Sequence, residues 1–392
     1  MRALLFFSLM ALAGCQPPDA PPPESEPLTE VRGVWLTNVD SEVLDSREAI
    51  DDAMRKLAEA NFNVVYPVVW NGGYTLYPSA VMDSLFGASI DPRFEGRDPL
   101  ADLVEAGEQY GLVVIPWFEF GFSSSYNENG GRLLAQFPAW AARDADGGLL
   151  TKNGFEWMNP YHPEVQDFLL ALILEVVRAY DVDGVQGDDR LPANPSEGGY
   201  SAYTDSLYRA DHAGAAPPRD TKDPDWLRWR ADRLNQFGKR VYEAVKAEDP
   251  GLLVTWSPSV FPWAYEEYLQ DWPSWLAGGY ADLLHPQVYR YDLDAYRATL
   301  GNLNADTLSM LLPAGTELPE DYKQRIAPGV LMRVGDYVID EPYLFAALRA
   351  NRDAGFPGEV FFFYEGLTAN DGRLFQALKD SLYTEPARFP SL

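Results

Sequence analysis

Apolar residues along the chain form two alternating patterns: short continuous runs, and longer segments with one apolar face. Between Pro163 and Tyr180, apolar side chains recur every three or four residues, the spacing of a helix that buries one face. An apolar run, Val182 to Gln186, follows directly. The alternation of helix and strand continues from residue 31 onward. The predicted strands are Arg32–Thr37, Asn63–Trp70, Leu112–Phe118, Val182–Gln186, Leu252–Trp256, Asp282–Tyr289, Val330–Val334 and Glu359–Tyr364.

Nearly continuous apolar strands separated by helices indicate a parallel sheet whose outer side is covered by helices. Eight such units in about 350 residues predict a closed (β/α)8 TIM barrel. An open doubly wound sheet is the alternative, but no predicted strand is followed by a glycine-rich phosphate loop. Enlarged loops follow the second, third and fourth strands, at residues 71–97, 119–160 and 188–223. They leave the carboxyl ends of the strands, the face where barrels bind substrates.

Composition narrows the class of partner. The formal net charge is −28, from 59 acidic and 31 basic residues, so a phosphate backbone would be repelled. Nucleic acid is therefore not an expected partner. The hydrophobic content of 46% suits one large folded domain, which we place at residues 31–392.

The amino terminus predicts export. Arg2 precedes an apolar stretch that ends in Leu12-Ala13-Gly14-Cys15, and this tetrapeptide resembles the bacterial lipobox. That resemblance implies a signal peptide at residues 1–14 and a lipid on Cys15, the only cysteine of the chain. The alternative is an ordinary signal peptide with an incidental cysteine. Residues 15–30 are Pro-rich and acidic and predict an extended tether. Gln16, by similarity to Gram-negative lipoproteins, favours anchoring in the outer membrane, facing the periplasm.

The predicted strand ends carry carboxylates, amides and aromatic rings, the mixture that sugars require for hydrogen bonds and stacking. Asp188 and Asp189 follow the fourth strand, Glu119 the third and Glu365 the eighth; these four are the candidate catalytic acids. The predicted substrate-binding residues are Asn38, Trp70, Trp117, Gln186, Arg190, Trp256, Gln287, Tyr289, Arg333 and Tyr364.

Six short motifs share their order and spacing with one protein family. They are RGVWLT at 32–37, Tyr77-Pro78-Ser79, PWFEF at 116–120, DGVQGDD at 183–189, WSPS at 256–259 and HPQVY at 285–289. Together they resemble the glycosyl-hydrolase-like family 10 of bacteria, formerly a domain of unknown function. Its members include an outer-membrane lipoprotein that cleaves peptidoglycan glycan strands stripped of peptides. The resemblance implies a glycoside hydrolase that acts on a cell-envelope polysaccharide.

Two departures from the family pattern leave the substrate open. Glu119 stands where many relatives have Asn, and the run Asp188 to Pro192 replaces an aromatic-rich D-D-Y-F-Y-P run. DGVQGDD also looks like a degraded chitinase-type motif, in which the acetamido group of the substrate attacks. Arg190 stands where the glutamate proton donor of that motif would be, which argues against the full chitinase mechanism.

Hydrolysis of a glycosidic bond generally needs two carboxyl groups, one of them a proton donor with a raised pKa. We expect Asp188 to act on the sugar and Asp189 to orient Asp188. Side chains of adjacent strand residues point to opposite sides, so both acids cannot face the same sugar oxygen. Glu119 and Glu365 are the candidates for the second carboxyl group. The alternative for both is an ion pair with Arg32, Arg190, Arg290 or Arg333 in the barrel mouth. Neither a retaining nor an inverting outcome is favoured.

Other functions have weaker signals. The three histidines, His162, His212 and His285, lack zinc-site spacing, so neither a metal nor a cofactor is predicted. His285 is expected in the core. The main alternative to an enzyme is a non-catalytic sugar-binding lipoprotein, and a polysaccharide deacetylase or lyase is the third possibility.

Overall fold

The computed structural model describes residues 28–390, so the predicted signal peptide, Cys15 and most of the predicted tether lie outside the described residues. Eight parallel strands form the centre of the molecule. They are β1 (Val31–Leu36), β2 (Val64–Pro67), β3 (Val113–Val114 and Trp117–Phe118), β4 (Gly184–Gly187), β5 (Leu253–Trp256), β6 (Leu283–Leu284), β7 (Gly329–Leu331) and β8 (Gly358–Phe362).

These strands close into a ring. One sheet runs in the order β7-β8-β1-β2-β3 and the other in the order β3-β4-β5-β6. The two halves of β3 belong to different sheets and join them, with a further bridge from Val68 to Trp117. On the opposite side, parallel bridges from Leu284 to Ile326 and from Gln287 to Gly329 connect β6 with β7. The predicted (β/α)8 barrel is confirmed.

Several strands are shorter than predicted, and proline explains two of the breaks. Pro116 interrupts β3, and Pro286 follows β6 closely; proline has no N–H for the ladder between strands. The predicted second strand ends at Pro67, and Trp70 instead belongs to an antiparallel hairpin with Tyr74–Thr75.

The ends of the last two strands also differ from the prediction. Arg333 lies in an antiparallel hairpin, Arg333–Val334 with Tyr337–Val338, beyond the end of β7. Tyr364 is the first residue of a helix rather than the end of β8. Both residues therefore leave the barrel wall before the position that the apolar pattern indicated.

Helices cover the outer side of the ring, and side-chain caps fix where several of them begin. Ser46 caps α1 by accepting a hydrogen bond from the backbone N–H of Ala49, and Asp98 caps α3 in the same way. The helices are α1 (Arg47–Glu59), α2 (Ala80–Phe86), α3 (Pro99–Tyr110), α4 (Gly131–Gln136), α5 (Pro163–Ala179), α6 (Ala202–Asp211), α7 (Pro224–Glu248), α8 (Trp263–Tyr268), α9 (Trp272–Ala277), α10 (Leu293–Gly301), α11 (Ala305–Leu308), α12 (Glu341–Asp353) and α13 (Tyr364–Ser381).

The three enlarged loops form their own structure above the carboxyl ends of the strands. The loop after β3 contains a small antiparallel sheet of Ser123–Tyr126, Thr151–Lys152 and Phe155–Trp157, and the loop after β4 contains α6. Among the described residues, no helix combines the length and the apolar character needed to cross a bilayer.

Candidate active site

A continuous chain of hydrogen bonds and ion pairs crosses the mouth of the barrel from β1 to β6. On one side, Nδ2 of Asn71 donates to Oδ1 of Asn38 and to Oε2 of Glu119, both at 2.9 Å. Oε1 of Glu119 faces Nη2 of Arg190 at 3.5 Å. Because each residue follows a different strand, parallel strands bring them to one rim.

Arg190 is the centre of this cluster. Its Nη2 donates to Oδ2 of Asp188 at 3.1 Å, and its Nη1 lies 3.0 Å from Oδ1 of Asp189. Its Nε donates to the backbone carbonyl of Glu119 at 3.1 Å, and its guanidinium lies 4.5 Å from the centre of the Phe155 ring. One fixed cation therefore contacts three carboxyl groups. We call Glu119, Asp188, Asp189 and Arg190 the acid cluster.

A glycine allows the loop after β3 to approach the loop after β4. Gly121 has φ +51°, and a Cβ at this position would lie 2.2 Å from the backbone oxygen of Arg190. That same oxygen accepts a hydrogen bond from the backbone N–H of Phe122 at 3.0 Å. The contact fixes the backbone of Arg190 relative to Glu119.

Asp188 is the most buried acid of the cluster, with 2% of its surface exposed. Its Oδ1 accepts hydrogen bonds from the Ser257 hydroxyl and from Nε2 of Gln287, both at 3.0 Å. Nε2 of Gln270 donates to its backbone carbonyl, also at 3.0 Å. Burial raises the pKa of Asp188 well above its usual value, and the charge of Asp189 adds to this effect while Arg190 opposes it.

Glu119 titrates near neutrality. Burial raises the pKa of its carboxyl group to about 7, with Arg190 lowering the pKa and Asp189 raising it. The Glu119 side chain nevertheless keeps 17% of its surface exposed, and that of Asp189 keeps 22%. A group that is half protonated near pH 7 and reachable from the mouth is suited to donate a proton.

Glu365 is placed apart from the acid cluster. Its carboxylate accepts a hydrogen bond from the Ser41 hydroxyl. Burial raises the pKa of Glu365, whereas this hydrogen bond and the nearby charge of Arg333 lower it. Of the two candidates for the second carboxyl group, Glu119 is therefore the one that the structure brings to Asp188. The ion pair suggested as an alternative is present too, because Arg190 pairs with Glu119. Arg32 instead pairs with Glu30, at 2.9 Å.

The structure corrects the predicted roles of five substrate-binding candidates. The indoles of Trp70 and Trp256 are buried and donate to the backbone carbonyls of Gly121 and Tyr280, and Trp117 packs against Trp35 and Phe362. Gln186 lies inside the barrel, where it accepts from Trp35 at 2.6 Å and donates to Thr255 at 3.1 Å. Tyr364 is buried at the start of α13. Gln186 and Trp117 thus fill the barrel interior, which is a packed core rather than a pore. Trp70 and Trp256 instead pack outward, against Phe168 of α5 and Trp275 of α9.

Four other predicted residues lie at or near the acid cluster. Asn38, Arg190 and Gln287 belong to the chain across the mouth described above. The ring of Tyr289 stacks on Phe362 with centroids 5.1 Å apart, and the charges of Asp188, Asp189 and Glu119 help to raise its pKa. His285 is buried between Tyr66 and the carbonyl of Ala327, as expected of a core residue. Its pKa is lowered to about 4 by burial.

Three residues that hold the cluster were not among the predicted site residues. Ser257 directly follows β5, and Asn71 directly follows the predicted second strand, Asn63–Trp70, so their positions in the sequence were a usable signal. Gln270 lies between α8 and α9, and nothing in its sequence surroundings marks it. Within residues 28–390, no three His, Cys, Asp or Glu side chains are grouped so that they could hold a metal ion.

A closed parallel barrel with carboxyl groups gathered at the carboxyl ends of its strands is an arrangement that glycoside hydrolases use. A family model described as Glycosyl hydrolase-like 10 matches residues 30–326. The chain therefore belongs to this family, and the resemblance seen in its motifs is confirmed.

Named relatives agree with this assignment. The chain is 26% identical over 317 residues to "Glycosyl hydrolase DigH" of Escherichia coli strain K12, a match that covers 71% of this chain and 69% of that protein. It is 24% identical over 299 residues to "Glycosyl hydrolase YngK" of Bacillus subtilis, covering 66% of this chain and 54% of that protein.

Solved structures show the same fold. The glycoside hydrolase domain of PgaB (BpsB) from Bordetella bronchiseptica superposes with a TM-score of 0.64 at 14% identity, over 90% of this chain and 98% of that one. The catalytic domain of β-amylase from Paenibacillus polymyxa also gives a TM-score of 0.64, at 9% identity, over 92% and 100% of the two chains. At these identities the likeness concerns the fold alone.

Proposed function

We propose that the protein is a glycoside hydrolase that cleaves O-glycosidic bonds of a cell-envelope polysaccharide, with peptidoglycan glycan as the leading substrate. The observation that carries the proposal is the convergence of Glu119 and Asp188 on one nitrogen of Arg190. Two carboxyl groups at one rim are what hydrolysis of a glycosidic bond requires.

The spacing of the pair supports this chemistry. The distances of 3.5 Å and 3.1 Å from Nη2 of Arg190 bound the separation of the two carboxylate oxygens. That separation is at most about 6.6 Å, whereas retaining enzymes hold their carboxyl groups about 5 to 5.5 Å apart and inverting ones about 6.5 to 9.5 Å. This upper limit is compatible with the retaining range and with only the lower end of the inverting range.

We assign the proton donor to Glu119. Its pKa of about 7 leaves a substantial protonated fraction at neutral pH, and its proton passes to the glycosidic oxygen as the bond to the anomeric carbon breaks. While Glu119 carries its proton it adds no negative charge to the acid cluster, and this favours the charged form of Asp188. Donors from Ser257, Gln287 and Arg190 stabilise that anion.

Asp188 then acts on the sugar, either by bonding to the anomeric carbon or by taking a proton from the attacking water. In both cases one water molecule is consumed and a new reducing end is formed. Asp189, the more accessible of the two neighbouring aspartates, orients Arg190 through their ion pair. Since Arg190 is an ion-paired cation, it cannot replace the glutamate proton donor of a chitinase-type motif.

The cellular setting in this proposal depends on residues outside the described range. A lipobox-like sequence ending at Cys15 supports a lipid anchor, and Gln16 supports the outer membrane, with the domain facing the periplasm. A polysaccharide is the proposed partner in that compartment. The net charge of −28 supports a partner other than nucleic acid.

One observation favours a second candidate function. Arg190 already contacts all three acids of the cluster, and carboxyl groups held by a cation are less available for proton transfer to a bound sugar. The two functions differ in one experiment. Glycan strands freed of peptides are incubated with the wild type and with Asp188→Asn, and both new reducing ends and binding affinity are measured. An enzyme loses turnover in the variant and keeps affinity, whereas a binding protein forms no reducing ends in either form.

A further inference from the structure

Two large aromatic rings lie exposed on the loops that border the acid cluster. Trp263 begins α8 in the loop after β5, with 46% of its surface exposed, and Tyr126 lies in the small sheet of the loop after β3, with 54% exposed. Single exposed rings are common on protein surfaces. What sets these two apart is the way each connects to the acid cluster.

Each exposed ring rests on a second ring that reaches the acid cluster. Trp263 packs on Tyr268 with centroids 5.4 Å apart. Burial and the charge of Asp189 raise the pKa of Tyr268 to about 12. Tyr126 packs on Phe155 at 5.0 Å, and Phe155 in turn covers the guanidinium of Arg190. We call Trp263, Tyr268, Phe155 and Tyr126 the aromatic wall.

Contacts with Lys152 and Asn153 fix the position of the aromatic wall. Nδ2 of Asn153 donates to the hydroxyl of Tyr268 at 3.0 Å, and Nζ of Lys152 lies 4.8 Å from the centre of the same ring. Lys152 is itself fixed by an ion pair with Glu267 at 2.7 Å. Gly154, with φ +83°, leaves room for Tyr126, because a Cβ there would lie 2.6 Å from its ring. The rings are therefore positioned before any ligand arrives, which lowers the entropic cost of binding.

We propose that Trp263 and Tyr126 form a sugar-stacking subsite that binds residues of a glycan chain beyond the linkage to be cleaved. The inference rests on the proposed function and extends it by naming the two rings that hold sugars of the polysaccharide beyond the cleaved linkage. Exposed Trp and Tyr rings offer flat faces to the C–H groups of a sugar ring. Polar side chains such as Lys152 and Asn153 lie close to these rings, whereas a protein partner would favour a continuous apolar surface.

The test compares long and short substrates. Trp263→Ala, Tyr126→Ala and the double variant are assayed on peptide-free wall glycan strands and on a two-sugar substrate with a chromogenic leaving group. Loss of one stacking contact raises KM for the strands about five- to tenfold, with a smaller rise for the short substrate. Tyr203→Ala is the matched control, since Tyr203 is an exposed aromatic residue on α6 that packs against His162 instead. An unchanged KM for the strands in the double variant would overturn the inference.

A binding experiment separates failure of this inference from failure of the proposed function. Affinity for the strands is measured by calorimetry on the wild type, on Asp188→Asn and on Asp188→Asn combined with Trp263→Ala. If the wild type binds strands without cleaving them and loss of Trp263 weakens binding, the subsite stands and the proposed function fails. If the wild type cleaves strands and loss of Trp263 changes neither KM nor affinity, the function stands and the subsite fails. If the wild type neither binds nor cleaves the strands, both the subsite and the proposed function are rejected.

Discussion

Glu119 and Asp188 approach the same atom, Nη2 of Arg190, from two neighbouring strands of the barrel. This shared contact makes the two acids a coupled pair, because a proton on one changes the charge that the other experiences. It also ties the activity of the site to Arg190, which keeps three carboxyl groups close together that would otherwise repel one another.

The pH dependence of hydrolysis tests Glu119 as the proton donor. A donor is active in its protonated form, and the pKa of Glu119 is raised to about 7, so kcat/KM should fall as pH rises through about 7. Glu119→Gln removes the titrating group, and turnover should fall by about 100-fold or more, with the alkaline limb of the profile lost. A wild-type profile that stays flat between pH 6 and pH 8 would reject this assignment.

Glu365→Gln provides the matched comparison for Glu119→Gln. Because the Glu365 carboxylate hydrogen-bonds to Ser41 and lies apart from Arg190, its neutral analogue should change kcat by no more than about threefold. The measurement is kcat on the same glycan strands at pH 6. If Glu365→Gln were as inactive as Glu119→Gln, the second carboxyl group would have to be reassigned.

Arg190→Gln leaves three carboxyl groups without their cation. Removing one member of a buried ion pair costs about 3 kcal/mol of unfolding free energy, so the variant should be less stable than the wild type at pH 8. The loss should shrink at pH 5, because raised pKa values mean that Glu119 and Asp188 become protonated, and so lose their repulsion, as pH falls. Denaturant unfolding at the two pH values measures both effects.

The same variant should also move the pH profile of any remaining activity. Arg190 lowers the pKa of Glu119, so its removal should shift the alkaline limb to higher pH. Arg297→Gln, which changes an exposed arginine on α10, is the control for both measurements. An Arg190→Gln protein with wild-type stability and an unshifted limb would contradict the coupling.

Ser257→Ala removes one hydrogen-bond donor from Asp188. The Ser257 hydroxyl stabilises the charged form of Asp188, so its loss should lower kcat about tenfold and leave KM nearly unchanged. Stability should fall by about 1 kcal/mol. Ser259→Ala is the control, because Ser259 lies in the same loop and bonds to Gln270 and Trp272 through its backbone. Equal kinetic effects of the two substitutions would count against a positioning role for Ser257.

The fold followed from the sequence because its signals are local. The helical spacing of apolar residues and the continuous apolar strands both refer to neighbours in the chain. The convergence of Glu119 and Asp188 was also predictable, since the carboxyl ends of parallel strands meet at one rim. The contact of Glu119 with Arg190 appeared only as one of several alternative ion pairs, and the contact of Asp188 with Arg190 was not predicted.

Which aromatic side chains are buried and which are exposed could not be predicted from the sequence. Trp70, Trp117 and Trp256 lie near the carboxyl ends of the strands, yet all three are buried. Trp117 packs inside the barrel, whereas Trp70 and Trp256 pack against Phe168 of α5 and Trp275 of α9. Trp263 rests on Tyr268 of the same short helix, whereas Tyr126 rests on Phe155, a residue of a different strand of the small sheet. Whether these rings border the acid cluster depends on how the loops after β3 and β5 fold over the barrel, which no local pattern encodes.

Mass spectrometry of the products tests the central claim most directly. Peptide-free wall glycan strands are incubated with the purified mature protein and with Asp188→Asn, then reduced with borohydride. The wild type should produce shorter chains, each with one added water and a reducible end, and the variant should leave the strands intact while still binding them. Strands that remain intact with the wild type, or products that are unsaturated or only deacetylated, would contradict hydrolysis by the pair Glu119 and Asp188.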